Sequence, residues 1–300
     1  MSQFEYILQQ VINAVSLGSL YALVAVGLSI VFGVLKLTNF AHGDVMMVGA
    51  FTTVLLIAIG VPFIPAMIGG ILASAIAGFL IERIAYRPIR NAPDVTRLLT
   101  SLAVTYILEN LGILLFTSSP RNFPLPDLLN SSWQLAGGAI TFTNINVLTV
   151  ALTFVSLIGL GWFITRTTVG LGMRAAAEDM SAAQLVGLDV NRLIIVAFLV
   201  ASAFAGLAGV LWAAQAGVVQ PQMGFTPLLK AFVAAIIGGF GSISGALLGG
   251  YMLGALEIFI VAFLPDAVVP YRDAIVFALL IAFLLFRPGG LMQPNREIKL

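Results

Sequence analysis

The stretch VMMVGAFTTVLLIAIGVPFIPAMIGGILASAIAGFLI, residues 45–81, contains no Asp, Glu, Lys or Arg. A helix of about 20 residues crosses the roughly 30 Å hydrocarbon core of a bilayer, so this interval is long enough for two passes. Gly60, Val61 and Pro62 in its middle supply the turn between them. Three more intervals have the same character: Tyr6 to Leu35, Leu128 to Thr165 and Leu193 to Leu229.

Hydrophobic residues make up 60% of the 300 positions and charged residues 9%, and the mean hydropathy is +1.07. Soluble domains are apolar at about half of their positions and charged at about a quarter, so no water-soluble fold could hide this much apolar surface. The chain reads as an all-α, polytopic integral membrane protein, a single transmembrane domain over residues 1–300. Charge gaps and turn residues predict helices over 9–33, 44–60, 64–84, 98–117, 147–165, 193–215, 244–264 and 270–286. A ninth apolar piece, Leu228 to Phe240, offers only about 20 Å of helix and reads as a short or broken crossing. Eight or nine spans are therefore expected.

Lys and Arg collect in cytoplasmic loops. Arg83, Arg87, Arg90 and Arg97 mark one loop, Arg166, Arg174 and Arg192 a second, and Arg287, Arg296 and Lys299 the tail. The connection near 118–146 holds only Arg121, balanced by Asp127, and several prolines, which suits an external loop. The N-terminus is then external and the C-terminus cytoplasmic, in a cell inner (plasma) membrane. The second loop and the tail share a side only if an even number of crossings separates them, which favours a crossing at 228–240 over re-entry.

Inventory excludes several chemistries. With no cysteine there are no disulfides, thiolates or Cys-built metal sites, and a single histidine makes a histidine metal centre equally unpromising. No metal and no cofactor are expected. A net charge of +1 gives no reason to expect a nucleic-acid partner. Lysine occurs only at 36, 230 and 299, never after glycine, so there is no phosphate-binding G-x-x-x-x-G-K-[ST] loop. No nucleophile with a partner acid is identifiable, and the chain is expected to be no enzyme. Any ATP dependence must come from a partner. The N-terminus lacks the positive region of a secretory signal, so the first apolar segment is expected to stay in the mature protein.

Four features could carry function. Glu109 and Glu257 sit mid-span, where an ionisable group is costly and marks either a helix-to-helix clamp or a pathway. The glycine-rich stretch Gly238, Gly239, Phe240, Gly241, Ser242, Ile243, Ser244, Gly245, with Gly249, Gly250 and Gly254 beyond it, either packs helices closely or breaks to offer backbone groups to a zwitterion. The stretch from Lys36 to Asp44 joins two spans, and its Asn39 and His42 either cap helix ends or touch a transport path. Its rhythm resembles the 238–245 break and hints at a duplicated half. The segment 166–192 is mixed in charge and alanine-rich. Asp179 suits an N-cap and Gly187 a C′ position, bracketing about two helical turns that either lie on the membrane or form a knob for another protein.

Four stretches together resemble the permease subunits of ATP-binding-cassette importers for branched-chain amino acids, the LivH-type family. They are Gly33 to Lys36 with Thr38 to Asp44; Gly170 to Gly187 with Asn191 and Arg192; Gly238 to Gly250; and Tyr271 to Ala274 with Leu285 to Leu291. The resemblance implies an importer with a second, related permease, two ATPase subunits on the cytoplasmic face and an external or periplasmic solute-binding protein. In that family the loop matching 166–192 docks the ATPase, which makes Arg174, Glu178, Asp179, Ala183 and Gly187 the expected coupling residues. The expected path candidates are Asn39, His42, Glu109, Gly238, Gly239, Gly241, Ser242, Gly245 and Glu257. The expected cargo is leucine, isoleucine or valine. The same architecture could carry urea, short amides or other amino acids, and an ion-coupled carrier with Glu109 and Glu257 as proton sites is the rival of another class.

Overall fold

The computed structural model describes residues 2–292. Arg296 and Lys299 lie outside the described residues. The helices are α1 (Gln3–Leu35), α2 (His42–Ala58), α3 (Phe63–Ile81), α4 (Asp94–Phe116), α5 (Asp127–Asn130), α6 (Asn144–Arg166), α7 (Thr168–Glu178), α8 (Met180–Leu185), α9 (Val190–Ala216), α10 (Phe225–Gly238), α11 (Ile243–Phe263) and α12 (Arg272–Phe286). Among the described residues seven helical stretches are long and apolar enough to cross a bilayer, and α2 and α10 are shorter apolar helices. All eight expected spans and the short ninth are present, so the protein is a polytopic helical membrane protein.

Local chemistry sets the helix ends. α1 starts earlier than the hydropathy predicts because Ser2 and Glu5 form a capping box: the Glu5 amide donates to Ser2 Oγ (3.2 Å) and the Ser2 amide to Glu5 Oε2 (2.6 Å). Its 33 residues reach about 50 Å, well beyond the membrane core. α3 runs on into a π-helical turn at Glu82–Tyr86 and a 3₁₀ turn at Arg87–Ile89. Pro88 ends it, having no N–H and clashing with the carbonyl one turn back.

Contacts between connections define two faces. Arg90 donates to Asn191, and Arg87, Arg90 and Arg97 line one cavity with Met180, Gln184 and Leu35, so the arginine-bearing segments share a face. On the opposite face Gln9 exchanges two hydrogen bonds with the Thr141 backbone (2.9 and 2.7 Å). There the 118–146 connection, expected as an external loop, forms a small cap with the chain after α9. Its pieces are β1 (Arg121–Asn122) paired antiparallel with β4 (Val218–Val219), and a hairpin of β2 (Ser132–Leu135) and β3 (Ile140–Thr143).

The stretch 217–238 runs between these faces. Gly217 accepts from the Phe123 amide (2.9 Å) in the cap, whereas the far end of α10 meets the tail, where the Leu291 and Met292 amides donate to the Ile237 and Gly238 carbonyls (2.8 and 3.0 Å). Phe240 stacks edge-on against Phe32 near the end of α1, with centroids 4.0 Å apart. The piece therefore crosses, as favoured. Its break lies ahead of Phe225, over 217–224, and the 239–242 stretch after α10 is a turn at the arginine-bearing face.

Two helices form the centre: 89% of the apolar stretch of α1 and 72% of that of α9 is buried, against 17%, 17% and 11% for α4, α6 and α12 at the rim. The two glycine pairs of α11 serve different neighbours. A Cβ at Gly250 would lie 2.5 Å from the Ala22 backbone of α1, and one at Gly254 2.5 Å from Gly18, whereas Gly245 and Gly249 press on Gly238 and Ala234 of α10. Small residues let helices approach closely where hydrocarbon offers no solvent-driven association. Gly250→Val should cost about 1–3 kcal/mol by overpacking. Gly159→Val, on the open face of α6, should stay within about 0.5 kcal/mol. Thermal unfolding midpoints in detergent would separate the two.

Candidate functional site

Two non-helical stretches, 36–41 and 217–224, bring the starts of α2 and α10 together. Gly43 and Gly224 touch through their backbones: a Cβ on Gly43 would lie 2.6 Å from the Gly224 carbonyl oxygen, and one on Gly224 would run into the Gly43 carbonyl. Only glycine permits that approach. The first stretch is tied down by the Phe40 amide donating to Ser101 Oγ (2.6 Å) and by Tyr86 Oη donating to Asn39 Oδ1 (2.9 Å).

Asn39 is 2% exposed and His42 fully buried. The imidazole sits among α1, α2 and α9, where a Cβ on Gly27 would come within 2.7 Å of His42 Nε2 and 3.1 Å of the Ala201 carbonyl. Both residues hold the re-entering stretch in place. Gly239 and Gly241 occupy the turn with φ of +106° and +90°, and Ser242 caps α11 by accepting from the Gly245 amide (3.1 Å). Gly238 and Gly245 meet backbone to backbone. This group closes the α10–α11 hairpin at the arginine-bearing face.

Glu257 is 1% exposed and belongs to a network that sequence reading left unassembled. Lys230 of α10 pairs with it at 2.9 Å, Tyr21 of α1 donates to its Oε2 at 3.0 Å, and Arg272 of α12 approaches at 3.8 Å. Asp273 takes Lys230 from the other side at 3.1 Å. Four helices meet in one charge cluster, which makes Glu257 a clamp. The signal for it was present: Lys230 is the one lysine inside an apolar span, and a cation there requires an anion.

Glu109 has no such company. It is half-buried on the rim helix α4, and its neighbour across the packing is Asp44, which is 2% exposed. Asp44 was not singled out as a site residue because it follows Gly43 at a loop end, where an exposed acid is ordinary.

In the arginine-bearing segment the expected helix is present as α8. Asp179 accepts from the Ser181 and Ala182 amides (2.8 and 2.9 Å), and Gly187 follows with φ +85°. A separate helix, α7, precedes it, capped by Thr167 accepting from the Gly170 amide (3.0 Å). Arg174, Glu178, Asp179 and Gly187 are exposed, whereas Ala183 is 3% exposed and packs α8 inward. Leu185 and Val186, 89% and 77% exposed, stand bare beside Gly187.

The family described as branched-chain amino acid transport system, permease component, matches residues 10–284. The chain belongs to that family. This permease is 37% identical to the high-affinity branched-chain amino acid transport system permease protein LivH of Escherichia coli, over 98% of both chains. It is 36% identical to BraD of Pseudomonas aeruginosa, a permease protein of the same description, over 99% of both. It is also 28% identical to LivM of Escherichia coli, over 96% of this chain and 72% of LivM. LivH and LivM carry the same system description, so the permease resembles both members of a paired arrangement.

The charge cluster of this permease has a testable energetic consequence. Lys230→Met leaves buried Glu257 with the Tyr21 hydroxyl and, as a cation, the distant Arg272, and should cost about 3–5 kcal/mol, whereas Lys230→Met with Glu257→Leu should recover more than half of that. Unfolding midpoints of the purified permease in detergent give both values.

Proposed function

We propose that this permease is one of two membrane subunits of an ATP-binding-cassette importer. It would take leucine, isoleucine or valine from an external solute-binding protein and alternate access when two partner ATPases close. The family supports the cargo class, since the LivH and BraD relatives are named for branched-chain amino acids. The single transmembrane unit, residues 1–300, performs no covalent step.

The observation that carries the coupling assignment is α8 itself. A short helix is pinned inward by Ala183, capped by Asp179 and ended by Gly187, and it presents Leu185 and Val186 bare on the arginine-bearing face. Large apolar side chains bared together in this way mark a protein contact. Lys and Arg mark cytoplasmic loops, so that face is the cytoplasmic one, the N-terminus is external, and the hairpin cap faces the binding protein. The membrane is then the cell inner membrane.

The assay is ATP-driven uptake of labelled leucine, valine, urea and glutamate by the assembled importer in proteoliposomes. Leucine and valine should accumulate only with ATP. Leu185→Ser with Val186→Ser should lower uptake at least roughly tenfold, the effect of removing about 1.4 kcal/mol of docking free energy. The permease's own unfolding midpoint should stay within the range of a surface change. Gly187→Trp should act likewise, because φ +85° disfavours any side chain there and the space beside it is open to a partner. Normal uptake and ATPase binding in both variants would remove the docking assignment, and uptake that follows a proton gradient without ATP would make the protein an ion-coupled carrier.

A further inference from the structure

We propose that the solute path runs along the outer face of α4 and the non-helical stretch ahead of α10, and that Glu109, backed by Asp44, is the position that meets a primary ammonium on the solute. This deepens the importer reading and rests on it.

The argument starts from what hydrocarbon forbids. α4 is a rim helix, yet the middle of its 23 residues carries Tyr106 at 65% exposure, an exposed Asn110 and a half-buried Glu109. Facing lipid, the acid alone would cost a few kcal/mol, and such groups face an interior or a water-filled space instead. A second feature adjoins it. Gln220 and Gln222 are exposed on the 217–224 stretch, and Thr226 is exposed in the first turn of α10. The Phe225 and Thr226 amides lie in that turn, where a helix has no partners for them, and Gly224 provides no side-chain cap. Irregular backbone at membrane depth survives only where protein buries it or water reaches it. The two features adjoin: Pro221 packs on α4 at Gly112, one turn beyond Glu109, where a Cβ would lie 3.2 Å from Pro221 Cβ.

The charge on that surface selects the ligand. Three carboxylates are buried among the described residues, Asp44, Glu82 and Glu257. Arg90 pairs with Glu82 and Lys230 with Glu257, but neither Asp44 nor Glu109 has a Lys or Arg within ion-pair distance among the described residues. Asp44 faces the Thr105 hydroxyl, which is 6% exposed and precedes Glu109 by one helical turn. Two acids beside a polar, partly unwound wall have no cation of their own among the described residues. An alkylammonium, with three donors and one positive charge, supplies what is missing.

The chain contains no cysteine, so single cysteines report cleanly. In proteoliposomes of the assembled importer, Asn110→Cys, Tyr106→Cys and Gln222→Cys should react with trimethylammonium-ethyl and sulfonatoethyl methanethiosulfonate, and Leu111→Cys, 46% exposed on the side of α4 away from Glu109, should not. The cationic reagent should react roughly tenfold faster than the anionic one relative to their rates with a free thiol, the order expected of a focused negative potential. Glu109→Gln should return the ratio to the free-thiol value and lower leucine imported per ATP hydrolysed, and Glu109→Asp should restore part of both. Silent cysteines in a transporting complex, or a ratio untouched by Glu109→Gln, would overturn the inference while leaving the importer reading intact. Labelling with the expected ratio in a complex that moves no leucine would support the wall and strike the importer reading.

Discussion

In hydrocarbon every backbone N–H and C=O needs a partner from within the protein, and the arrangement of this permease follows from that requirement. Long unbroken helices meet it without help, which is why α1 and α9 can run through the centre. Two places depart from it, 36–41 and 217–224, and they are placed side by side. The first is repaired by Ser101, by the Asn39–Tyr86 bond and by turn bonds such as the His42 amide to the Asn39 carbonyl at 3.4 Å. The second keeps its polar side chains open to the outside of the chain. The same defect is sealed at one site and left accessible at the other.

Charge is handled by the same logic. The Lys230 cluster ties α10 to α1, α11 and α12, so the half-length helix that follows the open stretch is anchored by ion pairs as well as by glycine packing on α11. A buried pair of this kind contributes little net stability, because desolvation offsets attraction, but it penalises any position of α10 that separates the partners. α10 is therefore held in place next to the non-helical stretch that precedes it. Glu109 and Asp44, on the other side of that stretch, have no such tie.

The arginine-bearing face shows a third use of small structural devices. α7 and α8 meet at Asp179, whose carboxylate caps α8 while its extended backbone turns the chain, and Gly187 reverses it again toward α9. These two joints leave α8 held mainly through Ala183 and put the bare Leu185 and Val186 at its end. The few residues from Leu188 to Val190 join that end to α9, a central helix.

Much of this was legible in the sequence because the signals are one-dimensional. The spans follow from charge gaps, the α8 caps from Asp179 and Gly187, and the two α11 glycine pairs from their spacing of four. The boundaries shifted where a local cap outweighed hydropathy, as Ser2 and Glu5 did for α1. What sequence could not show was which distant groups meet. Glu109 and Glu257 look alike as lone acids in apolar spans, and only the tertiary structure pairs Glu257 with Lys230 and leaves Glu109 beside Asp44. Likewise His42 and Asn39 read as polar loop residues until packing enclosed them, and the glycines at 238–245 read as a break at membrane depth until the end of α1 placed them at a surface turn. By itself the sequence determined that the chain crosses a bilayer many times and which parts are helical, because hydrocarbon thickness and backbone hydrogen bonding act locally along the chain. Only the tertiary structure decided which polar groups are neutralised and which stay available, because a charge inside a membrane is defined by its neighbours in space.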